Sequence, residues 1–168
     1  MNNSQQLDRI DIAILAELQR NGRIKNVDLA EKVALSASPC LQRVKRLEKM
    51  GFITRYCAEI EINKITEVVE VFTQITISKH TLEDHSYFER EITKIPEVME
   101  CYLVSGGYDY LVKFTCRSII HYQNTIQQLL DSELGIFKYH SYVVMKTIAS
   151  KREYPISHLT KNLPASSS

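Results

Sequence analysis

The spacing of apolar residues changes once along the chain, and that change limits the possible folds more than any other feature. Before about residue 50, apolar residues recur every three or four positions, as in amphipathic helices. From about residue 68, β-branched runs alternate with helical segments. The sequence therefore predicts an N-terminal domain at 1–62, a linker at 63–67, a second domain at 68–150 and a C-terminal tail at 151–168.

The N-terminal domain begins with two predicted helices. Asp8 and Asp11 have the spacing of a capping box, and Asn21-Gly22 ends the first helix after a run of apolar residues. Asn26 is the predicted N-cap of a second, short helix. Two helices with defined ends and a tight turn between them are typical of a helix-turn-helix.

A third helix and a β-hairpin complete the predicted N-terminal domain. Ser36 is the predicted N-cap of this helix, Leu41 lies on its predicted core side, and Gly51 ends it in a left-handed conformation. The segments 52–56 and 58–62 have the composition of two short strands. Three helices followed by a hairpin predict a winged helix-turn-helix.

The exposed face of the third helix has the composition of a DNA-contacting surface. Gln and Arg side chains match the donor pattern of adenine and guanine edges, and Lys supplies point charges for phosphates. Between positions 43 and 55, five cationic residues and one acidic residue give a local net charge of +4, against +1 for the whole chain. An ordinary solvated helix face is the alternative, but the surrounding pattern favours DNA binding. The predicted DNA-binding residues are Ser36, Ser38, Pro39, Gln42, Arg43, Lys45, Arg46, Lys49 and Arg55.

The second domain has the predicted order β-α-β-β-α-β, which is that of a ferredoxin-like fold. A glycine pair in the turn at 105–107 joins the two central strands and is a strong hairpin signal. The predicted strands are 68–77, 98–104, 108–116 and 142–145, and the predicted helices are 83–94 and 119–130. The fold class is therefore α+β.

The turn between the central strands has two interpretations. Exposed N–H groups of Gly106 and Gly107 can hold a carboxylate, and Asp109 can accept an ammonium group, which together would receive a free amino acid. Alternatively, Asp109 caps an ordinary hairpin turn, and spacing alone favours this simpler interpretation.

The sequence gives little indication of a metal site, a cofactor, catalysis or a membrane span. Five scattered histidines, and four cysteines without a C-x-x-C pair, predict no metal site, no cofactor and no disulfide framework. No catalytic motif of a hydrolase, kinase or metalloprotease occurs, so the chain is not expected to be an enzyme. No membrane span or signal peptide is predicted, and the expected location is the cytoplasm.

Two blocks of sequence resemble the Lrp/AsnC (feast/famine) family of transcriptional regulators. The N-terminal block comprises 7–15, 21–24 and 36–48, followed by Gly51-Phe52-Ile53. The C-terminal block comprises 100–111 and 142–145. Together the matches extend from about residue 7 to about residue 148 in the family's order and spacing.

This resemblance implies a winged helix-turn-helix joined to a ligand-sensing αβ-sandwich, the RAM domain. It also implies a homodimer that assembles to a tetramer or octamer and binds double-stranded DNA. A free amino acid, leucine or another apolar one, is implied to bind at an interface between dimers. Family members resembling this chain have an acidic residue where it has Gly107. The implied effector-binding residues are Ser105, Gly106, Gly107, Tyr108, Asp109, Tyr142, Val143 and Val144.

The leading hypothesis is a sequence-specific DNA-binding regulator whose assembly and DNA affinity respond to a small amino acid, and which controls genes of amino-acid metabolism. One alternative is an architectural, nucleoid-type DNA-binding protein without an amino-acid effector. Another is an amino-acid-sensing module that does not bind DNA. These alternatives differ in the salt dependence and sequence specificity of DNA binding.

Overall fold

The computed structural model describes residues 7–160, which form two compact units. The first unit combines the N-terminal residues up to Glu59 with the C-terminal segment from Ala149 onward, and the second spans Ile60–Ile148. The segment predicted as a tail thus belongs to the first unit as far as Thr160, and residues 161–168 lie outside the described residues.

Three helices of the first unit share one core: α1 (Arg9–Arg20), α2 (Asn26–Lys32) and α3 (Ala37–Lys49). Most of the periodic apolar residues of these three helices are buried together, as the sequence predicts. The buried members of this core are Ile14, Leu18, Leu29, Ala30, Val33, Cys40 and Leu47.

The ends of these helices confirm most of the predicted caps. The Asp11 N–H donates to Asp8 Oδ1 at 2.8 Å, and the Asp8 N–H donates to Asp11 Oδ2 at 3.1 Å, which completes the capping box. Gly51 has φ +77°, as expected of a left-handed helix end. The prediction for Asn26 is wrong: Lys25 is the N-cap of α2, and the Asn26 amide instead donates to the Ala37 carbonyl at 2.8 Å.

The predicted strands 52–56 and 58–62 are also wrong. Among the described residues, 52–61 contain neither helix nor strand. A single residue, Cys57, separates the two predicted strands, and a hairpin connection needs at least two. The start of this segment is bonded to α3, because the Phe52 N–H donates to the Leu47 carbonyl at 3.0 Å.

The C-terminal segment of the first unit packs on α1. It contains the short helix α6 (Ile156–Leu159). The Gln19 side-chain amide pairs in both directions with the backbone of Tyr154: Nε2 donates to the carbonyl at 2.6 Å, and Oε1 accepts from the N–H at 3.1 Å. This pair fixes the segment's position along α1.

The second unit has the predicted order of elements around a four-stranded antiparallel sheet. The last strand lies earlier than the predicted 142–145, because an exposed edge strand lacks the alternating burial that reveals strands in sequence. Val144 and Met145 lie beyond its end. The elements are β1 (Val69–Ile77), α4 (Leu82–Ile92), β2 (Val98–Leu103), β3 (Tyr110–Cys116), α5 (Ile119–Asp131) and β4 (Ile136–Val143). The strand order in the sheet is β2-β3-β1-β4.

Helices α4 and α5 bury one face of this sheet. Val71, Ile75 and Val112 point into that core and are fully buried, together with Phe88 of α4. Residues on the opposite face, such as Phe72, are half-buried or exposed. No helix within residues 7–160 is long and apolar enough to cross a bilayer.

Candidate DNA-contacting and effector sites

Helix α3 presents a continuous polar ridge on the side opposite its buried residues. Ser38, Gln42, Lys45 and Lys49 are all exposed and recur every three or four positions, so they line one side of the helix. We call these four residues the α3 ridge. Two amide or hydroxyl groups and two ammonium groups on one helix face suit contact with base edges and phosphates.

Arg43 and Arg46 lie beside the ridge and bind carboxylates at the start of α1. Arg43 Nη1 donates to Asp8 Oδ2 at 2.6 Å and to Asp11 Oδ1 at 2.8 Å. Arg46 Nη2 donates to Asp11 Oδ2 at 2.5 Å. The two guanidinium charges therefore face two carboxylates, and much of the local positive charge is neutralised within the unit.

The other predicted DNA-binding residues lie around the start and end of α3. Ser36 is the N-cap, although its side chain makes no capping hydrogen bond, and Pro39 is exposed in the first turn. Arg55 is exposed in the segment after the helix. Leu41, predicted on the core side, is 42% exposed beside the ridge.

The carboxylate of Asp8 is held in its charged form. Burial raises its pKa, but the Asp11 N–H and the Arg43 guanidinium together lower it below the ordinary value of 3.8. The Asp8 carboxylate in turn raises the pKa of Arg43 despite partial burial of the guanidinium. Sequence reasoning assigned Asp8 and Asp11 to the helix cap alone and missed their ion pairs with α3, because those partners lie more than thirty residues away.

This lowered pKa predicts an acid-sensitive first unit. A carboxylate whose pKa is depressed by folding stabilises the fold above its unfolded pKa, and that contribution disappears as pH falls through the folded pKa. We expect the free energy of unfolding to decline below pH 3.8 in the wild type and to decline less in Asp8→Asn. Urea titrations from about pH 5 to about pH 2 test this, and parallel profiles for the two proteins would contradict it.

The turn between β2 and β3 places Asp109 against the end of β1. The Ile77 N–H donates to Asp109 Oδ2 at 2.9 Å, and His80 Nδ1 lies 3.6 Å from Asp109 Oδ1. Gly106 and Gly107 are exposed, and neither would bring a Cβ within 4 Å of another atom. Asp109 is thus both the cap of this strand end and a carboxylate at an open loop.

The remaining predicted effector residues lie at the opposite end of β1. Tyr142 pairs with Phe72, and the Val144 N–H donates to the Glu70 carbonyl at 2.9 Å. From Phe72 to Ile77 the strand advances about 17 Å, at about 3.3 Å per residue. Within one chain, therefore, the predicted effector residues form two separate groups.

A polar network that sequence reasoning missed lies next to the Asp109 loop. The buried Tyr110 hydroxyl lies 2.7 Å from His85 Nδ1 and donates to Glu89 Oε1 at 3.0 Å. Burial, together with the Glu89 carboxylate, raises the pKa of Tyr110. The alternation of β3 marks Tyr110 as inward-facing, but its partners on α4 depend on helix packing that the sequence does not display.

The cysteines and one cleft lie outside these two candidate sites. The four cysteines are free thiols. Within residues 7–160, no three His, Cys, Asp or Glu side chains are grouped closely enough to hold a metal ion. A half-open cleft of about 790 Å³ between α1 and residues 150–158 contains none of the predicted site residues.

Family models match both units of the chain. The model described as winged helix-turn-helix DNA-binding matches residues 7–54, and the model described as Lrp/AsnC ligand binding domain matches residues 61–154. The first match confirms the predicted N-terminal fold class, although the two predicted wing strands are not formed. The second confirms the predicted αβ-sandwich.

Relatives and solved structures cover most of the chain. The transcriptional regulatory protein DoeX of Halomonas elongata is 44% identical over 84% of this chain and 90% of its own length. The leucine-responsive regulatory protein of Escherichia coli is 39% identical over 84% of this chain and 87% of its own length.

Among solved structures, a Neisseria meningitidis transcriptional regulator in complex with L-methionine superposes with a TM-score of 0.84. It is 34% identical, and the match covers 92% of this chain and 99% of that one. Both units, in the same order, are thus shared with proteins named as transcriptional regulators. The chain belongs to the Lrp/AsnC family and is a DNA-binding transcriptional regulator with an effector-binding domain.

Proposed function

We propose that the α3 ridge enters the major groove of double-stranded DNA, with Gln42 at base edges and Lys45 and Lys49 at phosphates. The observation that carries this proposal is that these side chains share one exposed face opposite the core of a helix-turn-helix. Ser38 of the ridge makes a supporting contact, as do Ser36, Pro39 and Arg55, which flank the ridge. In a homodimer, two such helices engage half-sites about one helical turn apart.

The effector in this proposal is a free apolar amino acid, leucine or another such as methionine. The exposed N–H groups of Gly106 and Gly107 receive its carboxylate, and Asp109 receives its ammonium group. The names of two similar proteins support this class: one is leucine-responsive, and the other was solved with L-methionine.

A second copy of the chain completes the effector site. The two groups of predicted residues, Ser105–Asp109 and Tyr142–Val144, lie too far apart for one amino acid to contact both in a single chain. The sheet face opposite α4 and α5 presents half-buried or exposed side chains such as Phe72, Leu111 and Tyr142 and suits a homodimer interface. Dimers then assemble to tetramers or octamers, and the amino acid shifts that equilibrium.

The proposed biological role is control of amino-acid metabolism genes in the bacterial cytoplasm. Sedimentation velocity of the full chain, titrated separately with each standard amino acid, tests the effector and the assembly together. A shift in assembly with one or two apolar amino acids supports the proposal. No shift with any of them would overturn it and favour an architectural DNA-binding protein.

Asp109→Asn is the sharpest test of the effector site. The asparagine Oδ1 still accepts from the Ile77 N–H, so the strand end stays capped, but the charge that attracts an ammonium group is lost. We expect a roughly 10–100-fold loss in affinity for the responding amino acid, since a hydrogen bond to a charged group contributes about 1.5–3 kcal/mol. Calorimetric titration measures this loss.

DNA affinity without effector is the control for that variant, and we expect it to be unchanged. Asp109→Ala is the companion variant, because it removes both the charge and the strand cap. If Asp109→Asn responds normally while Asp109→Ala loses the response, then Asp109 acts through the turn and not on the ligand.

A further inference from the structure

The carboxylate of Asp11 is fully buried, yet it lies beside the surface proposed to contact DNA. One oxygen accepts from Arg43 at 2.8 Å. The other accepts from Arg46 at 2.5 Å and from the Asp8 N–H at 3.1 Å. Because two of these donors come from α3 and the third from the cap of α1, the carboxylate joins the two helices and fixes the position of its partners.

The two arginines bound to Asp11 differ in their other partners and in how exposed their side chains are. Arg43 places Nη1 between Asp8 and Asp11, and its side chain is 27% exposed. Arg46 bonds to Asp11 through Nη2, and its side chain is 48% exposed. A guanidinium has five N–H donors in a planar fork, so Arg46 retains donors on its solvent side.

The position of Arg46 on α3 places those donors next to the α3 ridge. Arg46 follows Gln42 by four residues and precedes Lys49 by three, and side chains at those spacings are neighbours on a helix surface. A flexible arginine loses conformational freedom when it binds a phosphate. Arg46 has already lost much of that freedom through its bond to Asp11, so its contact with DNA costs less.

We infer that Asp11 is a positioning residue for DNA binding. It neutralises Arg43 and holds Arg46 so that the remaining guanidinium N–H groups donate to a DNA phosphate beside the α3 ridge. By restraining two of the cations on α3, Asp11 also limits sequence-independent attraction to DNA. This inference rests on the proposed contact between α3 and DNA.

The test compares Asp11→Asn with Asp8→Asn in the full chain. Two duplexes of equal length serve as probes: one selected by the wild-type protein from a random-sequence library, and a scrambled version of it. For Asp11→Asn we expect the slope of log affinity against log salt on the scrambled duplex to steepen by about 1–2. Arg43 and Arg46 no longer pair with a carboxylate at position 11 and can therefore bind phosphates. The ratio of selected to scrambled affinity falls by roughly tenfold, because the released cations strengthen binding to the scrambled duplex while the phosphate contact that fixes the register on the selected duplex is lost.

Asp8→Asn is the matched control, because Arg43 and Arg46 both still face Asp11 in that variant. We expect its affinity ratio to stay within about twofold of the wild type. Adding Arg46→Gln to Asp11→Asn removes one released cation, so the salt slope returns toward the wild type by about 1. Equal losses of affinity on both duplexes with an unchanged slope would show that Asp11 acts only on stability, which overturns the inference.

Arg46→Lys keeps the test decisive if Asp11→Asn does not fold. Lysine preserves the charge but lacks the planar fork that bonds to Asp11 and a phosphate at once. We expect roughly fivefold to tenfold weaker binding to the selected duplex with an unchanged salt slope. Wild-type affinity in Arg46→Lys overturns the inference, whereas wild-type affinity after loss of Lys45 and Lys49 overturns the proposed α3 contact itself.

Discussion

Arg43→Ala is expected to lower the free energy of unfolding of the first unit by about 3 kcal/mol. Arg43 joins α3 to both acidic residues at the start of α1, and Asp11 is fully buried. Removing one partner of a buried ion pair costs about 3–5 kcal/mol, and the low end applies here because Arg46 still faces Asp11. Urea denaturation followed by helical circular dichroism measures the change.

Lys45→Ala is the matched control for Arg43→Ala. It removes a cation from the same helix, but Lys45 is exposed on the α3 ridge, and an exposed substitution typically changes stability by less than about 0.5 kcal/mol. Equal stability of Arg43→Ala and Lys45→Ala would mean that the contacts of Arg43 with Asp8 and Asp11 contribute nothing to the fold. Because Arg43→Ala is expected to destabilise the first unit, a loss of DNA binding in this variant does not by itself identify a contact between Arg43 and DNA.

The second large effect concerns the double variant Lys45→Ala/Lys49→Ala. Each lysine of the α3 ridge neutralises one phosphate in the proposed complex, so two counterions fewer are released on binding. We expect the slope of log affinity against log salt to fall by about 1.8 per bound protomer, and affinity at about 0.1 M salt to fall roughly 60-fold. Fluorescence anisotropy with a labelled duplex across a salt series measures both quantities.

Lys64→Ala/Lys94→Ala is the control for that double variant. It removes the same charge from the second unit, where Lys94 pairs with Glu91 on α4. Electrostatic attraction through net charge alone would reduce affinity equally in the two double variants. A selective effect at Lys45 and Lys49 identifies local phosphate contacts, and an unchanged slope in that variant would contradict the assignment of the α3 ridge.

Local signals in the sequence predicted much of this fold because the physics behind them is local. The Asp8/Asp11 capping box and the Gly51 helix end depend on neighbouring residues, and both are formed. The glycine turn between β2 and β3 is formed for the same reason, with Gly106 at φ +145°. In the second unit, alternation of apolar residues correctly revealed the strands that are buried on one face.

The errors arise where tertiary partners decide the outcome. Helical periodicity places Arg43 and Arg46 beside the exposed face, but it carries no information on the carboxylates of α1 that bind them. Nor does the sequence give the pairing register of β1, which decides where the two groups of candidate effector residues lie within one chain. With the register known, Asp109 and Tyr142 lie near opposite ends of that strand.

The pairing of Gln19 with Tyr154 has a consequence for synthesis of the protein. These residues are 135 positions apart, so α1 leaves the ribosome long before its C-terminal partner exists. At a synthesis rate of about 5–20 residues per second, that delay is roughly 7–27 s. During it the three helices can fold, but the surface of α1 that binds the C-terminal segment stays exposed to solvent. The DNA-binding unit is therefore the first part of the nascent chain to begin folding and the last to be completed.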